Sequence, residues 1–213
     1  MTVRTLDETR QYAEAKLDEF FESVSPAFKA HVVSLPKRIT QISARLEVKL
    51  KEVLNTADQI FGHAGKFAAC ARGFGHCCHV SVPITQFEAR YMGNNLGIKH
   101  KLIEYGSHTS CPFLHHGECS IYEHRPLTCR MHMNFDRDNY WCLHENWQKP
   151  DAETPRPTIQ PPIDAYQMTI SQVAPIMGNI RDFFLMEKMH YEKTTIRIIG
   201  NVSSAKFRGL SRT

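Results

Sequence analysis

Apolar side chains recur at helical spacing through the first sixty residues. Ala13, Leu17, Phe20, Phe21 and Val24 share one face of the stretch after Thr5, and Thr5 with Glu8 has the S/T-x-x-E form of a capping box, so an amphipathic helix is predicted. Ser25-Pro26 restarts the chain. A short second helix is expected to reach Leu35, where Pro36 stops it. A third begins near Lys37, with Ile39, Ile42, Leu46, Leu50, Val53, Leu54, Ala57 and Ile60 along one stripe. Such a stripe either packs on the rest of the chain, the weightier reading, or offers a surface to a protein or peptide partner. Val80 to Val82 reads as extended, and Thr85 with Glu88 repeats the capping box and opens a helix that ends near Gly97.

Beyond that helix the periodicity lapses. Residues from about Gly106 to Trp147 are rich in Cys, His, Gly and Pro, so little secondary structure is expected there. Five of the eleven prolines fall between Lys149 and Pro162 and predict an extended strap. From Asp164, Ile170, Val173, Met177, Ile180 and Phe184 predict a closing helix interrupted at Pro175, and a basic tail follows Gly200. The expected fold class is mostly α, a helical scaffold around a loop-rich cluster organised by metal. Its segments are 1–66 (helical), 67–148 (cysteine cluster), 149–200 (strap and closing helix) and 201–213 (tail), together one globular domain.

Composition narrows the function classes. At 213 residues the chain is long enough to bury a core without staples, so the cysteines need not exist for stability. No apolar run approaches the roughly 18 residues of a membrane span, and the N-terminus has no uninterrupted hydrophobic segment with a cleavage site. A cytoplasmic protein with reduced thiols is therefore expected. A net charge of +4 makes no case for a membrane surface or for nucleic acid, and Lys206, Arg208 and Arg212 are too few to constitute a nucleic-acid site.

The chemistry is concentrated in the middle of the chain. All seven cysteines, Cys70, Cys77, Cys78, Cys111, Cys119, Cys129 and Cys142, lie in one stretch, and ten of the twelve histidines lie between His63 and His144. An odd number of cysteines in a reducing compartment argues against a disulfide scaffold, and C-x-x-C, the usual dithiol switch, is absent. Cys78 before a predicted helix, between His76 and His79, would suit a nucleophile, but one nucleophile does not need six companions. Metal ligation explains more, because thiolate and imidazole bind zinc, four thiolates suit an iron-sulfur cluster, and either can organise a loop-rich segment. Two tetrahedral sites need eight ligands, so seven cysteines leave one place for a histidine: His76, His79, His132 or His144. In an extended chain Cys77 and Cys78 point to opposite sides and would serve two centres, unless the backbone turns sharply between them.

The pair at Cys77, the run "CPFLHHGECSIYEHRPLTCR" from Cys111 to Arg130 and the helix opening between them resemble the YkgJ-type cysteine-cluster family, a zinc- or iron-chelating domain, over roughly residues 70 to 130. The resemblance implies chelation by Cys70, Cys77, Cys78, Cys111, Cys119 and Cys129. The family opens with C-x-x-C-x-x-C-C, whereas "CARGFGHCC" lacks the cysteine between the first and the pair, a vacancy for Cys142 or His76. Some members of the broader family resemble flagellin lysine N-methylases with an iron-sulfur cluster. This chain has no glycine-rich nucleotide loop and no C-x-x-x-C-x-x-C motif, which weighs against that activity.

Around the ligands, Arg125 and Arg130 are expected to offset thiolate charge through hydrogen bonds to sulfur, and Gly117 to turn the chain so that Cys111 meets Cys119. Phe113 and Tyr122 are read as packing beneath the site. Two functions follow: a structural or metal-handling protein whose ligands are all occupied, or an enzyme with an open coordination position that uses further histidines, His115, His116 or His132.

Overall fold

A computed structural model of the chain describes residues 5–70, 73–99, 110–143, 146, 159–173 and 176–184. Most of the strap, the basic tail and His144 lie outside the described residues. Within them the protein is mostly α-helical, with eight α-helices and four short strands. No described helix is long and apolar enough to cross a membrane.

α1 (Leu6–Ser23) opens on the expected capping box: Thr5 Oγ1 accepts from the Glu8 backbone N–H, and the Glu8 carboxylate accepts from the Thr5 N–H at 3.0 Å. α2 (Pro26–Val33) is capped by Ser25, with proline in its first turn, where the missing N–H costs nothing. The third predicted helix is two. α3 (Leu35–Gln41) ends at Ile42, whose backbone is extended, and α4 (Leu46–Ala64) begins after Arg45. The break lets two short apolar stripes face one core. Leu35 and Ile39 from α3 cluster with Leu50, Val53, Leu54 and Ala57 from α4, against Phe87, Leu127 and Ala165. At roughly 1.5–3 kcal/mol for each large buried side chain, this burial outweighs the helical bonds lost at the break. The stripe packs on the chain itself, the weightier of its two readings.

A second cluster joins Ala13 and Phe20 of α1 to Ile60 and Ala64 of α4 and to Met133 and Phe135. The Phe20 ring stands 6.0 Å from those of Phe67 and Phe135, on the two segments that lead into Cys70 and out of Cys129. A third cluster surrounds Cys78 and Cys111 with Val82, Ile84, Met92, Phe113, Ile180 and Phe183.

β1 (Pro83–Thr85) leads into α5 (Gln86–Leu96), which ends at Gly97 as expected. β2 (Leu114–His115) and β3 (Glu118–Cys119) form a hairpin, and α6 (Leu127–Arg130) is a single turn carrying Cys129. α7 (Gln160–Ile170) packs against α3 and α4. The closing helix does not continue past it. Met177, expected on a helix, lies in β4 (Met177–Asn179), which pairs antiparallel with β1 in the register Ile84↔Gly178, and α8 (Ile180–Phe183) follows. Asn179 and Asp182 form a capping box that starts α8, a local signal that competes with continuation of the helix.

The second predicted capping box is only half made. Thr85 Oγ1 accepts from the Glu88 N–H at 3.1 Å, but the Glu88 carboxylate turns inward instead of back to the cap. It accepts from the Leu127 N–H at 2.8 Å and from the Tyr166 hydroxyl at 2.8 Å, and Tyr166 stands 3.0 Å from Thr85 Oγ1. One buried carboxyl thus ties α5, α6 and α7 together. Burial pushes its pKa above the ordinary carboxylate value of 4.5, against the pull of Leu127, Tyr166 and Arg130.

Replacing Glu88 with alanine leaves the Leu127 N–H and Tyr166 hydroxyl buried without their acceptor and should cost about 3 kcal/mol in urea denaturation. Glutamine, which can still accept from Leu127, should cost much less. Because the folded-state pKa is raised, the wild-type stability contributed by Glu88 is present at low pH and lost as pH rises from 4.5 through the folded value. E88Q should lack that decline; an identical pH profile for the two proteins would refute the assignment.

Candidate metal centre

Four separate stretches converge on one cavity of about 80 Å³. Its walls include all seven cysteines, His76 and His132. Cys77 and Cys78 lie in a 3-10 turn, His76–His79, and not in the extended chain that would send them to opposite sides. The turn closes with the Cys78 N–H on the Gly75 carbonyl at 2.9 Å, and it lets both thiols reach the cavity, Cys78 buried and Cys77 exposed at its mouth.

The turn is held by its carbonyls. The Cys78 carbonyl accepts from the Cys111 N–H at 2.7 Å and from Arg181 Nη2 at 2.8 Å, while Arg181 Nη1 donates to the Val80 carbonyl at 3.0 Å. Cys111 and Cys119 flank the hairpin, whose two loop residues, His116 and Gly117, both have positive φ (49° and 82°), the form that matches strand twist. Gly117 is thus the turn residue the sequence suggested. Gly75 answers to a different constraint, close approach: a Cβ there would overlap the Gly117 carbonyl and come 2.8 Å from Leu114 Cδ1.

The thiols of Cys77, Cys111 and Cys119 stand around Cys78 and interact with it electrostatically. The Cys78 pKa is driven up by those contacts. Theirs fall, first because of Cys78: Cys119 to about 6, Cys77 to about 7, and Cys111 below its usual value. The Arg125 guanidinium also lowers Cys77 and Cys119.

The remaining thiols form a different environment. Asn134 donates its backbone N–H to Cys70 Sγ at 3.2 Å and its side-chain amide to Cys142 Sγ at 3.3 Å, bridging residues 72 positions apart. Burial raises Cys70 to about 11, offset in part by the Asn134 N–H. Cys129 is also raised by burial. His76 Nε2 lies 3.5 Å from Asn139 Nδ2 on the same side. The Cys142 turn is fixed from outside by Trp141, whose indole N–H donates to Thr9 Oγ1 of α1 at 3.0 Å.

Among the described residues no group of three or more His, Cys, Asp or Glu side chains is placed so that it could hold a metal ion. A metal would have to draw the thiols together and displace the Asn134 contacts to Cys70 and Cys142, with release of protons. The donor set, rich in thiols with imidazole beside it, is that of zinc or iron, including iron-sulfur clusters.

A family model for CxxCxxCC, described as a putative zinc- or iron-chelating domain, matches residues 69–149. No curated protein and no solved structure matches the chain. The matched stretch departs from the C-x-x-C-x-x-C-C motif after Cys70, and both residues named for the vacancy, Cys142 and His76, line the cavity.

Other expectations divide. Arg125 lines the cavity. Arg130 does not; it is buried, pairs with Asp58 and donates to the Arg125 and Glu123 carbonyls at 2.6 and 2.8 Å, so it fixes the loop and not the sulfurs. Phe113 is core, whereas Tyr122 faces the cavity. His79, His115 and His116 are exposed and do not line it. Asn134 and Arg181 had no role in the sequence reading. The Asn179–Asp182 capping box was the available signal for Arg181, while Asn134 sits in "MNFDRDN", which reads only as turn-forming.

Gly75→Ala should separate the cysteine turn from the hairpin and lower metal content per chain together with the melting temperature. Gly62→Ala, at a glycine with open space around it, serves as the control. Full metal content in G75A would show that the close approach is dispensable.

Proposed function

We propose that this chain is a metal-chelating protein, in which the thiols of the CxxCxxCC domain hold zinc or iron and the helices serve as its scaffold. The observation that carries this reading is the convergence of all seven cysteines on one cavity. Buried cysteines placed only as small apolar filler would be dispersed through the three core clusters, and five of the seven stand outside the buried core residues.

Within the cavity the donors fall into two sets. Cys77, Cys78, Cys111 and Cys119 form a group able to supply four thiolates to one ion or cluster. Cys70 and Cys142, joined by Asn134, with His76 nearby, form a second set able to hold another ion or to complete a larger one, and Cys129, whose thiol neighbours are Cys111, Cys77 and Cys119, sides with the first. The metal supplies a cross-link between loops that have almost no ladder of their own. A metal-dependent enzyme, lysine N-methylase-like activity included, is the second reading; the space left open among the donors favours it, since a purely structural site is closed.

Anaerobic purification with elemental analysis and an absorption spectrum tests the proposal. At least one zinc or iron per chain is expected, a broad visible band and inorganic sulfide marking a cluster. Cys78→Ser should weaken retention about 100-fold in a chelator competition, and Cys142→Ser should spare the first metal equivalent. A metal-free protein from metal-replete anaerobic cells would sink the reading, and equal losses in the two variants would sink the division into two sets.

A further inference from the structure

The same cavity holds a cation that none of its hydrogen bonds explains. Arg125 is half-buried on the cavity wall. Its Nε donates to the Tyr122 carbonyl at 2.9 Å, and its guanidinium lies 3.7 Å from the Tyr122 ring centroid and 5.1 Å from that of Phe61. Held at one nitrogen and stacked between two rings, the group has lost most of its rotamer freedom. Nη1 and Nη2, with four N–H donors, make no hydrogen bond to any described residue. An oriented fork with unused donors, on the wall of a cavity, is the geometry that grips a planar oxyanion through two parallel bonds.

We propose that Arg125 anchors the carboxylate of a small organic ligand bound in this cavity beside the thiols. Three features choose that class. Arg125 is the only lysine or arginine among the described residues lining the cavity, so one negative charge is matched and a phosphate dianion is not. Phe61, Phe74, Tyr122 and Ile121 offer flat apolar surface for the body of the ligand. A volume of about 80 Å³ admits several atoms, well beyond the roughly 10–15 Å³ one water needs. The carboxylate lies on the guanidinium fork, the body against Phe74 and Ile121, and the thiol donors at its side. This assignment stands whether or not the metal reading holds.

Calorimetric titration of the full chain, purified anaerobically, with benzoate and with its neutral isostere methyl benzoate tests it. Benzoate should bind once per chain and the ester about tenfold or more weaker. Arg125→Gln should weaken benzoate to the level of the ester, and Arg125→Lys should restore part of the affinity. Equal binding of acid and ester, no binding of benzoate, unchanged affinity in R125Q or equally tight binding of inorganic phosphate would each overturn the proposal. Should R125Q fail to fold, the acid-to-ester comparison on the unaltered chain still decides. The metal analysis of the same samples reports separately on the chelation reading.

Discussion

The structure depends on fixing backbone that has no ladder to fix it. Between residues 110 and 143 the regular structure is a two-residue hairpin, two 3-10 turns and one turn of α-helix, yet this stretch supplies four of the seven thiols. Buried main-chain polar groups need partners wherever secondary structure does not provide them. Here side chains do. The Glu88 carboxylate takes the Leu127 N–H, Arg181 takes the Cys78 and Val80 carbonyls, Arg130 takes the Arg125 and Glu123 carbonyls, and Thr128 takes the Pro83 carbonyl at 2.9 Å. Three of these four donors or acceptors are charged groups, whose hydrogen bonds are about twice as strong as neutral ones. Their burial is the cost, and each meets it by bonding more than once.

That arrangement explains why distant parts of the chain belong to one site. α1 contributes no donor, yet Thr9 holds Trp141 and so the Cys142 turn. β4 and α8 contribute no donor, yet they carry Arg181 to the cysteine turn, over a separation of 103 residues. Such contacts are individually worth a kcal/mol or two, and their order in the chain makes them late to form. A metal joining the same loops would supply what they do not, a strong link among thiols that otherwise repel one another once ionised.

How much of this was legible in the sequence follows from the range of the interactions. The Thr5 capping box, the restart at Ser25-Pro26 and the turn at Gly117 depend on neighbours a few residues away, and they read correctly. The convergence of the cysteines was legible as chemistry, because residue type and clustering carry it. The break at Ile42 was not, since the same stripe fits one long helix or two short ones until the partner surface is known. Met177 was assigned to a helix by its spacing, but its partner is Thr85, 92 residues earlier, and period counting does not see such pairing. Glu88 is the sharpest case. Its position predicted a cap, half of which forms, while its carboxylate is recruited by a buried N–H from another segment.

The two thiol environments follow from the same economy of polar groups. Cys78 lies among three other thiols, and its presence lowers the pKa values of Cys77, Cys111 and Cys119 while its own is raised. Cys70 and Cys142 have an amide instead, and an amide N–H stabilises a thiolate less than a charge does, so burial dominates at Cys70. Arg125 stands where its charge is felt by both groups, at Cys77 and Cys119 on one side and Cys70 on the other. A guanidinium locked at that point makes the cavity neither uniformly soft nor uniformly anionic. It gives the cavity a polarity, a cationic fork set against the thiol donors. A ligand with a carboxylate at one end would be oriented by that polarity alone, before any bond to sulfur or metal contributed.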